Sequence, residues 1–140
     1  MKSSLLFTAF LALISGAHST DWVQYENSLY TAGSGNVTWS DARAACRKLH
    51  PRADLITIHS YGELDFVAGM FGEDIWIGFN DIETEDRYVW ANGATVDFTV
   101  WAERVDNTAK NCVHMDSGYS GAWVEDYCSN SLTFACKIEL

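Results

Sequence analysis

Four cysteines constrain this chain more than any other feature of its sequence. Cys112, Cys128 and Cys136 lie close together near the C-terminal end, whereas Cys46 stands alone far upstream. In an exported protein this count predicts two disulfides, and neither half of the set has the spacing of a metal site. Four cysteines allow three pairings, and their spacing alone does not choose among them.

The first 17 residues are typical of a secretory signal peptide. Lys2 precedes an uncharged apolar run over residues 5–14, and small residues at 15–17 offer a cleavage zone, with cleavage after Ala17 or Ser19 equally readable. The run is too short to span a bilayer. We therefore expect a secreted, extracellular protein without membrane insertion, in which residues 22–140 form one domain of ordinary size.

The charge of the mature chain excludes some classes of partner. Without Lys2, eight lysines and arginines face nineteen aspartates and glutamates, which gives a net charge of −11. Such acidity argues against binding to nucleic acid and to anionic membranes. It permits cation binding without requiring it, because most acidic side chains only solvate a surface.

Two helices are predicted in the first half of the chain. Thr38 is a suitable N-cap for a helix whose apolar face runs to Leu49, and Pro51 predicts that this helix stops at His50. Ser60 starts a capping box for a second helix, whose apolar residues recur at helical spacing up to Gly72.

Strand patterns dominate the rest of the chain, with a weak one at its start and a short one between the helices. They predict strands within residues 22–30, 55–58, 75–79, 87–90, 112–115, 122–124 and 133–138, with a hairpin-type turn at Asn92 and Gly93. Helices first and strands later indicate an α+β domain. The polar stretch at residues 98–112 has no periodicity, and a loop of that length is usually functional.

Asn36, Val37 and Thr38 form an acceptor sequence for N-glycosylation. The triplet follows a loop rich in glycine and small polar residues, as such acceptors usually do. We expect Asn36 to carry a glycan in an exported chain.

Several motifs together resemble the C-type lectin-like domain family over nearly the whole mature chain. The core strand Trp-Ile-Gly-Phe at 76–79 is similar to the family's Trp-Ile-Gly-Leu, and Trp-Ala-Asn-Gly at 90–93 is similar to its Trp-x-Asp-Gly turn. Trp101, Gly-Ala-Trp at 121–123 and Phe-Ala-Cys at 134–136 resemble its C-terminal signature. The resemblance implies two helices packed on small antiparallel sheets, with a long irregular loop region.

The resemblance also implies which cysteines pair. It joins Cys46 to Cys136 and Cys112 to Cys128, without the extra N-terminal disulfide of longer members. The first bond closes nearly the whole domain and the second clamps the base of a loop. In the chain-entropy model each contributes about 3–5 kcal/mol, the longer loop more.

The calcium site through which family members bridge two sugar hydroxyls is altered here. Calcium needs six to eight oxygen ligands, and the family draws them from Glu-Pro-Asn or Gln-Pro-Asp, from a Glu two residues before the next cysteine, and from Asn-Asp after the following Trp. This chain offers no such tripeptide at residues 104–107, and it has Lys110 and Val124 at two of the other positions. Asp106, Asn107 and Glu125 remain as oxygen donors, so we expect this site to be lost.

A second, auxiliary calcium site is less altered. Asp81 and Glu85 match the family's Asp and Glu four residues apart, and Asn107 and Asn111 are placed to assist. The alternative is that Asp81, Glu83, Glu85 and Asp86 form a solvated acidic loop. Calcium, if bound there, would order the long loop by neutralising these charges.

These observations predict a lectin-like module that binds glycans or microbial surface carbohydrate, with weak or no dependence on calcium. Its candidate ligand-binding residues are Glu103, Arg104, Asp106, Asn107, Lys110, Tyr119 and Glu125. Multivalency would require self-association into a homo-oligomer. The alternative is a protein-binding or surface-adsorbing module, such as an inhibitor, a mineral-matrix component or an ice-binder. No serine–histidine–acid set can be assigned, so we do not expect an enzyme.

Overall fold

The computed structural model describes residues 21–103 and 107–140. The predicted signal peptide and both candidate cleavage sites lie outside these residues. Two helices and eight strands follow one another along the described chain: β1 (Val23–Tyr25), β2 (Ser28–Ala32), α1 (Trp39–Leu49), β3 (Ala53–Leu55), α2 (Tyr61–Phe71), β4 (Ile75–Asn80), β5 (Val89–Trp90), β6 (Cys112–Met115), β7 (Trp123–Asp126) and β8 (Thr133–Glu139).

The strands form one connected sheet in the order β1-β2-β8-β4-β6-β7, with β3 paired to β8 and β5 paired to β4. Most neighbours are antiparallel, but β4 runs parallel to β8 at Ile75 and Trp76. The sheet is therefore mixed, and the architecture is the predicted α+β lectin-like fold. Every residue of β4 is buried, as expected for a strand covered on both sides.

Both helices begin and end where their capping residues predict. The Thr38 hydroxyl accepts a hydrogen bond from the Asp41 amide, and the Ser60 hydroxyl accepts one from the Glu63 amide. His50 leaves the helical region before Pro51, and Gly72 ends α2 with a positive φ of 98°.

Three strand predictions need correction. The segment 22–30 is not one strand but a hairpin of β1 and β2, with Glu26 at a positive φ in the turn. Only the start of the 55–58 run belongs to a strand, because β3 ends at Leu55. Gly93 does lie in a turn, but residues 94–100 form no strand and do not pair back onto β5, so the predicted hairpin is wrong.

Both disulfides have the pairing that the resemblance implied. Cys46 is bonded to Cys136, which fastens α1 to β8, and Cys112 is bonded to Cys128, which joins the start of β6 to the chain after β7. Two buried indoles reinforce the same region, since Trp39 donates to the Ile77 carbonyl and Trp76 donates to the Val37 carbonyl, each at 2.9 Å.

A buried ion pair joins α2 to β8. Lys137 Nζ lies 2.5 Å from Glu63 Oε2, and both side chains are less than a tenth exposed. The Tyr30 hydroxyl donates to the same carboxylate oxygen, and Thr57 accepts two hydrogen bonds from the ammonium through its hydroxyl and carbonyl. Burial and this hydrogen bond to Glu63 raise the pKa of Tyr30. The cluster is well satisfied, which is the condition for a buried charge pair to be tolerated.

Breaking this pair should destabilise the domain strongly. We expect Glu63→Gln to lower the free energy of unfolding by about 3–5 kcal/mol, because Lys137 then keeps a buried charge without its main partner. Urea unfolding measures the change. Asp65→Asn, on the exposed side of the same helix, is the matched control and should change stability by less than about 0.5 kcal/mol. Equal stabilities of the two variants would contradict this role for Glu63.

Candidate functional site

The described part of the long loop is anchored to β7. The Trp123 amide donates to the Val100 carbonyl at 2.8 Å, and the Ala102 amide donates to the Trp123 carbonyl at 2.9 Å. Glu103 follows this pairing directly. The exposed side chain of Glu103 is therefore placed beside β7 by backbone hydrogen bonds.

A cluster of aromatic rings lies beneath this anchored segment. The Phe79 ring stands at its centre, and four rings lie with their centroids 4.6 to 5.8 Å from it, those of Tyr88, Trp90, Trp101 and Trp123. Trp123 is fully buried, as predicted. Close aromatic packing of this kind gives the loop a rigid base.

Four of the predicted ligand-binding residues meet at one small cleft. The cleft has a volume of about 140 Å³ and is lined by Glu103, Lys110, Tyr119, Val124 and Glu125. Arg104 and Asp106 lie outside the described residues. Asn107 is not in the lining, because its side-chain oxygen accepts a hydrogen bond from the Ala109 amide and closes a local turn.

One exposed tyrosine and one lysine give the cleft its chemistry, and a second exposed tyrosine lies beside the lysine. The Tyr119 hydroxyl donates to Glu103 Oε2 at 3.1 Å, and this hydrogen bond, together with the charge of Glu103, raises the pKa of Tyr119. The Tyr119 side chain is 46% exposed, so its ring is available to a ligand. Lys110 Nζ lies 5.2 Å above the ring of Tyr127, which is also exposed.

The residues present do not fit the calcium ion that bridges sugars in the family. Lys110 has no lone pair for a cation and Val124 has no oxygen. Glu125 is only 6% exposed, and the Tyr88 hydroxyl donates to its carboxylate. Within the described residues, Glu125 is therefore a buried hydrogen-bond acceptor rather than an open ligand, and the loss of this site stays a prediction.

Tyr119 is held in place by a short 3-10 turn at Ser117–Tyr119. The Asp116 carboxylate accepts from the Gly118 amide, and the carboxylate of Asp74, which directly precedes β4, accepts from the Ser117 amide at 2.8 Å. The hydrogen bonds from Ser117, with a smaller effect of His114, lower the pKa of Asp74 despite slight burial. The ionised form of Asp74 thus favours the turn that carries Tyr119.

The auxiliary set, which consists of Asp81, Glu85 and the other residues of the predicted auxiliary calcium site, lies around Asn111 rather than around Asn107. With its amide nitrogen turned inward, Asn111 donates to Asp81 Oδ1 at 3.1 Å and to the Thr108 carbonyl and Glu85 Oε1 at 3.2 Å each. Asp81 is 2% exposed, and its second carboxylate oxygen accepts from the Asp86 amide. Three acceptor oxygens therefore converge on one group.

The donor set fits calcium only in part. Three converging oxygens are fewer than the six to eight that calcium takes. Within residues 21–103 and 107–140, no group of three or more histidine, cysteine, aspartate or glutamate side chains could hold a metal ion. The Thr108 carbonyl was missed by the sequence reasoning, since a backbone oxygen leaves no signal in residue type.

Other large surface features lie away from this cleft. A groove of about 680 Å³ is bordered by Leu49, Met70, Phe71 and Phe134 and contains none of the predicted site residues. No helix in the described residues has the length and apolar character needed to cross a membrane.

Known proteins are similar to this chain in sequence and in fold. The sequence profile described as the lectin C-type domain matches residues 35–138. Lectin BRA-3 of Megabalanus rosa is 38% identical over 125 residues, covering 86% of this chain and 76% of that protein. The cow C-type carbohydrate-recognition domain of CD23, solved with an oligosaccharide, is 31% identical at a TM-score of 0.75, with 85% and 93% of the two chains covered. Herring type II antifreeze protein is 25% identical at a TM-score of 0.77, covering 87% and 98%.

The Asp74 contact predicts a pH dependence of stability. The pKa of Asp74 is lower in the folded state than in the unfolded chain, where it is about 3.9. Ionised Asp74 therefore stabilises the folded state fully above that unfolded pKa, and this stabilisation is lost as the pH falls through the folded pKa. We expect wild type to melt at a slightly higher temperature than Asp74→Asn at neutral pH, with the gap closing below about pH 4. Thermal melts across pH test this, and a gap that persists at low pH would contradict it.

Asn111 offers a direct test of the auxiliary set. Asn111→Asp replaces the donating amide with a third carboxylate, so we expect the calcium-free protein to lose about 1–3 kcal/mol of stability and calcium to restore it. Calorimetric titration with calcium and melting with and without EDTA measure both effects. Asn107→Asp, which adds the same charge outside the set, should show neither. Equal effects at both positions would exclude a specific site.

Proposed function

The chain belongs to the C-type lectin domain family, and on this premise we propose that it is a secreted recognition module that binds glycans through the Glu103–Lys110–Tyr119 cleft without a bridging calcium ion. Family members are binding proteins rather than enzymes. The observation that carries the proposal is that Lys110 and Val124 stand in place of calcium ligands at a cleft whose lining also includes the exposed Tyr119.

These side chains suit the surface of a sugar. The apolar face of a sugar ring stacks on an exposed aromatic ring, and Tyr119 offers such a ring with a hydroxyl at its edge. Glu103 accepts hydrogen bonds from sugar hydroxyls and the Lys110 ammonium donates to them. The small, open cleft suits one or two sugar residues, so we expect weak binding at a single site.

Avidity would then have to come from several copies. We expect the protein to associate with itself or to meet repeated glycans on a surface, since linked weak sites gain strongly in effective affinity. Lectin BRA-3 is named for carbohydrate recognition, and the structure of the CD23 domain contains an oligosaccharide. Both support carbohydrate as the ligand class.

Calcium has at most a supporting role in this proposal. At the predicted auxiliary calcium site, the Asn111 amide nitrogen already lies within hydrogen-bond distance of oxygens of Asp81, Glu85 and Thr108 and shares its two hydrogens among them. A calcium ion there would require the amide to turn its oxygen inward, and it would order the loop rather than contact the sugar. Sugar binding is therefore expected to persist in EDTA.

A second candidate is a surface-adsorbing or protein-binding role. It is favoured by the likeness to herring type II antifreeze protein and by the net charge of the mature chain. Ice-growth inhibition by the purified protein, or recovery of one stoichiometric protein partner without any glycan binding, would select this role over the first.

Glycan binding should depend on Tyr119. A glycan array probed with calcium and again with EDTA should retain the same sugars. Tyr119→Ala should weaken binding to them about two- to twelvefold, because an aromatic contact is worth about 0.5–1.5 kcal/mol. Tyr119→Phe keeps the ring and should lose less, which separates stacking from the hydroxyl.

The matched control is Tyr61→Ala, since Tyr61 is an exposed tyrosine on α2, 65% accessible, that is not part of the cleft lining. Its affinity should equal that of wild type. No retained sugar under either condition, or an equal loss in both alanine variants, would count against the cleft. Binding that disappears in EDTA would show that a calcium ion bridges the sugar after all.

A further inference from the structure

Positive charge is concentrated in one short stretch of this acidic protein. Residues 43–52 contain four of the chain's nine lysines and arginines, and no aspartate or glutamate. These four are Arg43, Arg47, Lys48 and Arg52, and they lie in α1 and just after its end. The rest of the chain is therefore even more acidic than its net charge suggests, and the surface is strongly divided by sign.

A groove of about 390 Å³ collects three of these arginines. Its lining includes Arg43, Arg47 and Arg52 together with Asn92 after β5. Arg43 and Arg47 are one helical turn apart on α1, so both project from the same side. The guanidinium groups thus form a row along the groove.

Two of the arginines are held in place by the fold. Arg43 Nε and Nη2 donate to the Asp54 carboxylate at 3.2 to 3.4 Å, and Nη2 also donates to the Ala91 carbonyl at 2.9 Å. Arg52 Nη2 donates to the Glu139 carbonyl at 2.6 Å. A guanidinium has five donor hydrogens, so both keep donors for a ligand while their positions are fixed.

The two acids in the lining are already engaged by other groups, although the Glu139 carboxylate also accepts from Asn92 in the lining and is partly exposed. Asp54 is buried and also accepts from the Leu55 amide. The Glu139 carboxylate accepts from the Thr57 hydroxyl at 2.5 Å and lies 3.7 Å from Lys137 Nζ, and these contacts lower its pKa although burial alone would raise it. Arg47 is exposed on α1 and lines the same groove.

We propose that this groove is a second binding site, which takes the sulfate or carboxylate groups of an anionic polysaccharide. Guanidinium groups bind such planar or tetrahedral oxyanions through paired hydrogen bonds. The row of arginines matches a ligand that repeats its charge along a chain, whereas the Asn92 side chain is engaged with Glu139 and the Ala94 amide.

A polysaccharide fits the groove better than an acidic protein does. Protein interfaces depend on large anchors such as tryptophan and tyrosine at their centre, and the lining described here contains no aromatic or large aliphatic side chain. The rest of the surface is acidic and repels polyanions at long range. Binding is therefore expected to depend on short-range contacts with the arginines and to weaken steeply as the salt concentration rises. It requires neither calcium nor the Tyr119 cleft.

The test compares polymers on the mature full-length protein in EDTA at low salt. Dextran sulfate supplies sulfate groups, polygalacturonate supplies carboxylates, and neutral dextran supplies neither. We expect calorimetry to show binding to one or both anionic polymers and none to neutral dextran. Arg47→Glu should weaken this binding at least tenfold. Arg47→Lys keeps the charge but cannot form the paired hydrogen bonds of a guanidinium, and it should weaken binding about two- to fivefold.

The matched control is Arg87→Glu, because Arg87 is an exposed arginine beside the acidic residues 81–86 and its replacement changes the net charge equally. Its affinity should stay within twofold of wild type. Equal losses in both variants, binding of polyglutamate or anionic vesicles as tight as that of the polysaccharides, or no binding to either anionic polymer would overturn the site. Loss of polyanion binding in Tyr119→Ala would assign it to the cleft instead. Arg47→Gln and Arg87→Gln repeat the comparison if a charge reversal impairs folding.

Discussion

The position of β8 determines most of this structure. It pairs with β2, β3 and β4, it is fastened to α1 through Cys136, and its Lys137 forms the buried ion pair with α2. A single seven-residue strand thus holds both helices and joins the two halves of the sheet. The alternation of its side chains makes this workable, since Cys136 and Lys137 point to opposite faces.

The candidate cleft depends on this scaffold only indirectly. Val124 and Glu125 belong to β7, whereas Glu103, Lys110 and Tyr119 come from segments outside the strands that are fixed by backbone hydrogen bonds and by the Cys112–Cys128 bond. Backbone contacts do not depend on side-chain identity, so ligand residues there are replaceable at little cost to folding. Lys110 and Val124 are examples, because neither side chain can bind a cation and the fold around them is intact.

The features predictable from sequence are those governed by local contacts. Thr38 and Ser60 cap their helices with amides three residues away, so both helix starts were readable. The hairpin predicted after Asn92 failed because strand pairing depends on distant segments. The contribution of the Thr108 carbonyl to the auxiliary calcium site could not be predicted for a related reason. The position of a backbone carbonyl depends on how the chain folds and not on the type of residue. Lys110 and Glu125 were found because the family resemblance supplied the long-range information that the residues themselves lack.

Thr38 has two roles that are linked by its position. It completes the acceptor triplet that begins at the exposed Asn36, and its hydroxyl caps α1. Replacing Thr38 with a residue that lacks a hydroxyl removes the acceptor triplet and costs about 1 kcal/mol of stability as well. Serine at this position preserves both roles. Loss of the acceptor triplet would therefore cost less stability through a change at Asn36 than through a change at Thr38, because only Thr38 also caps α1.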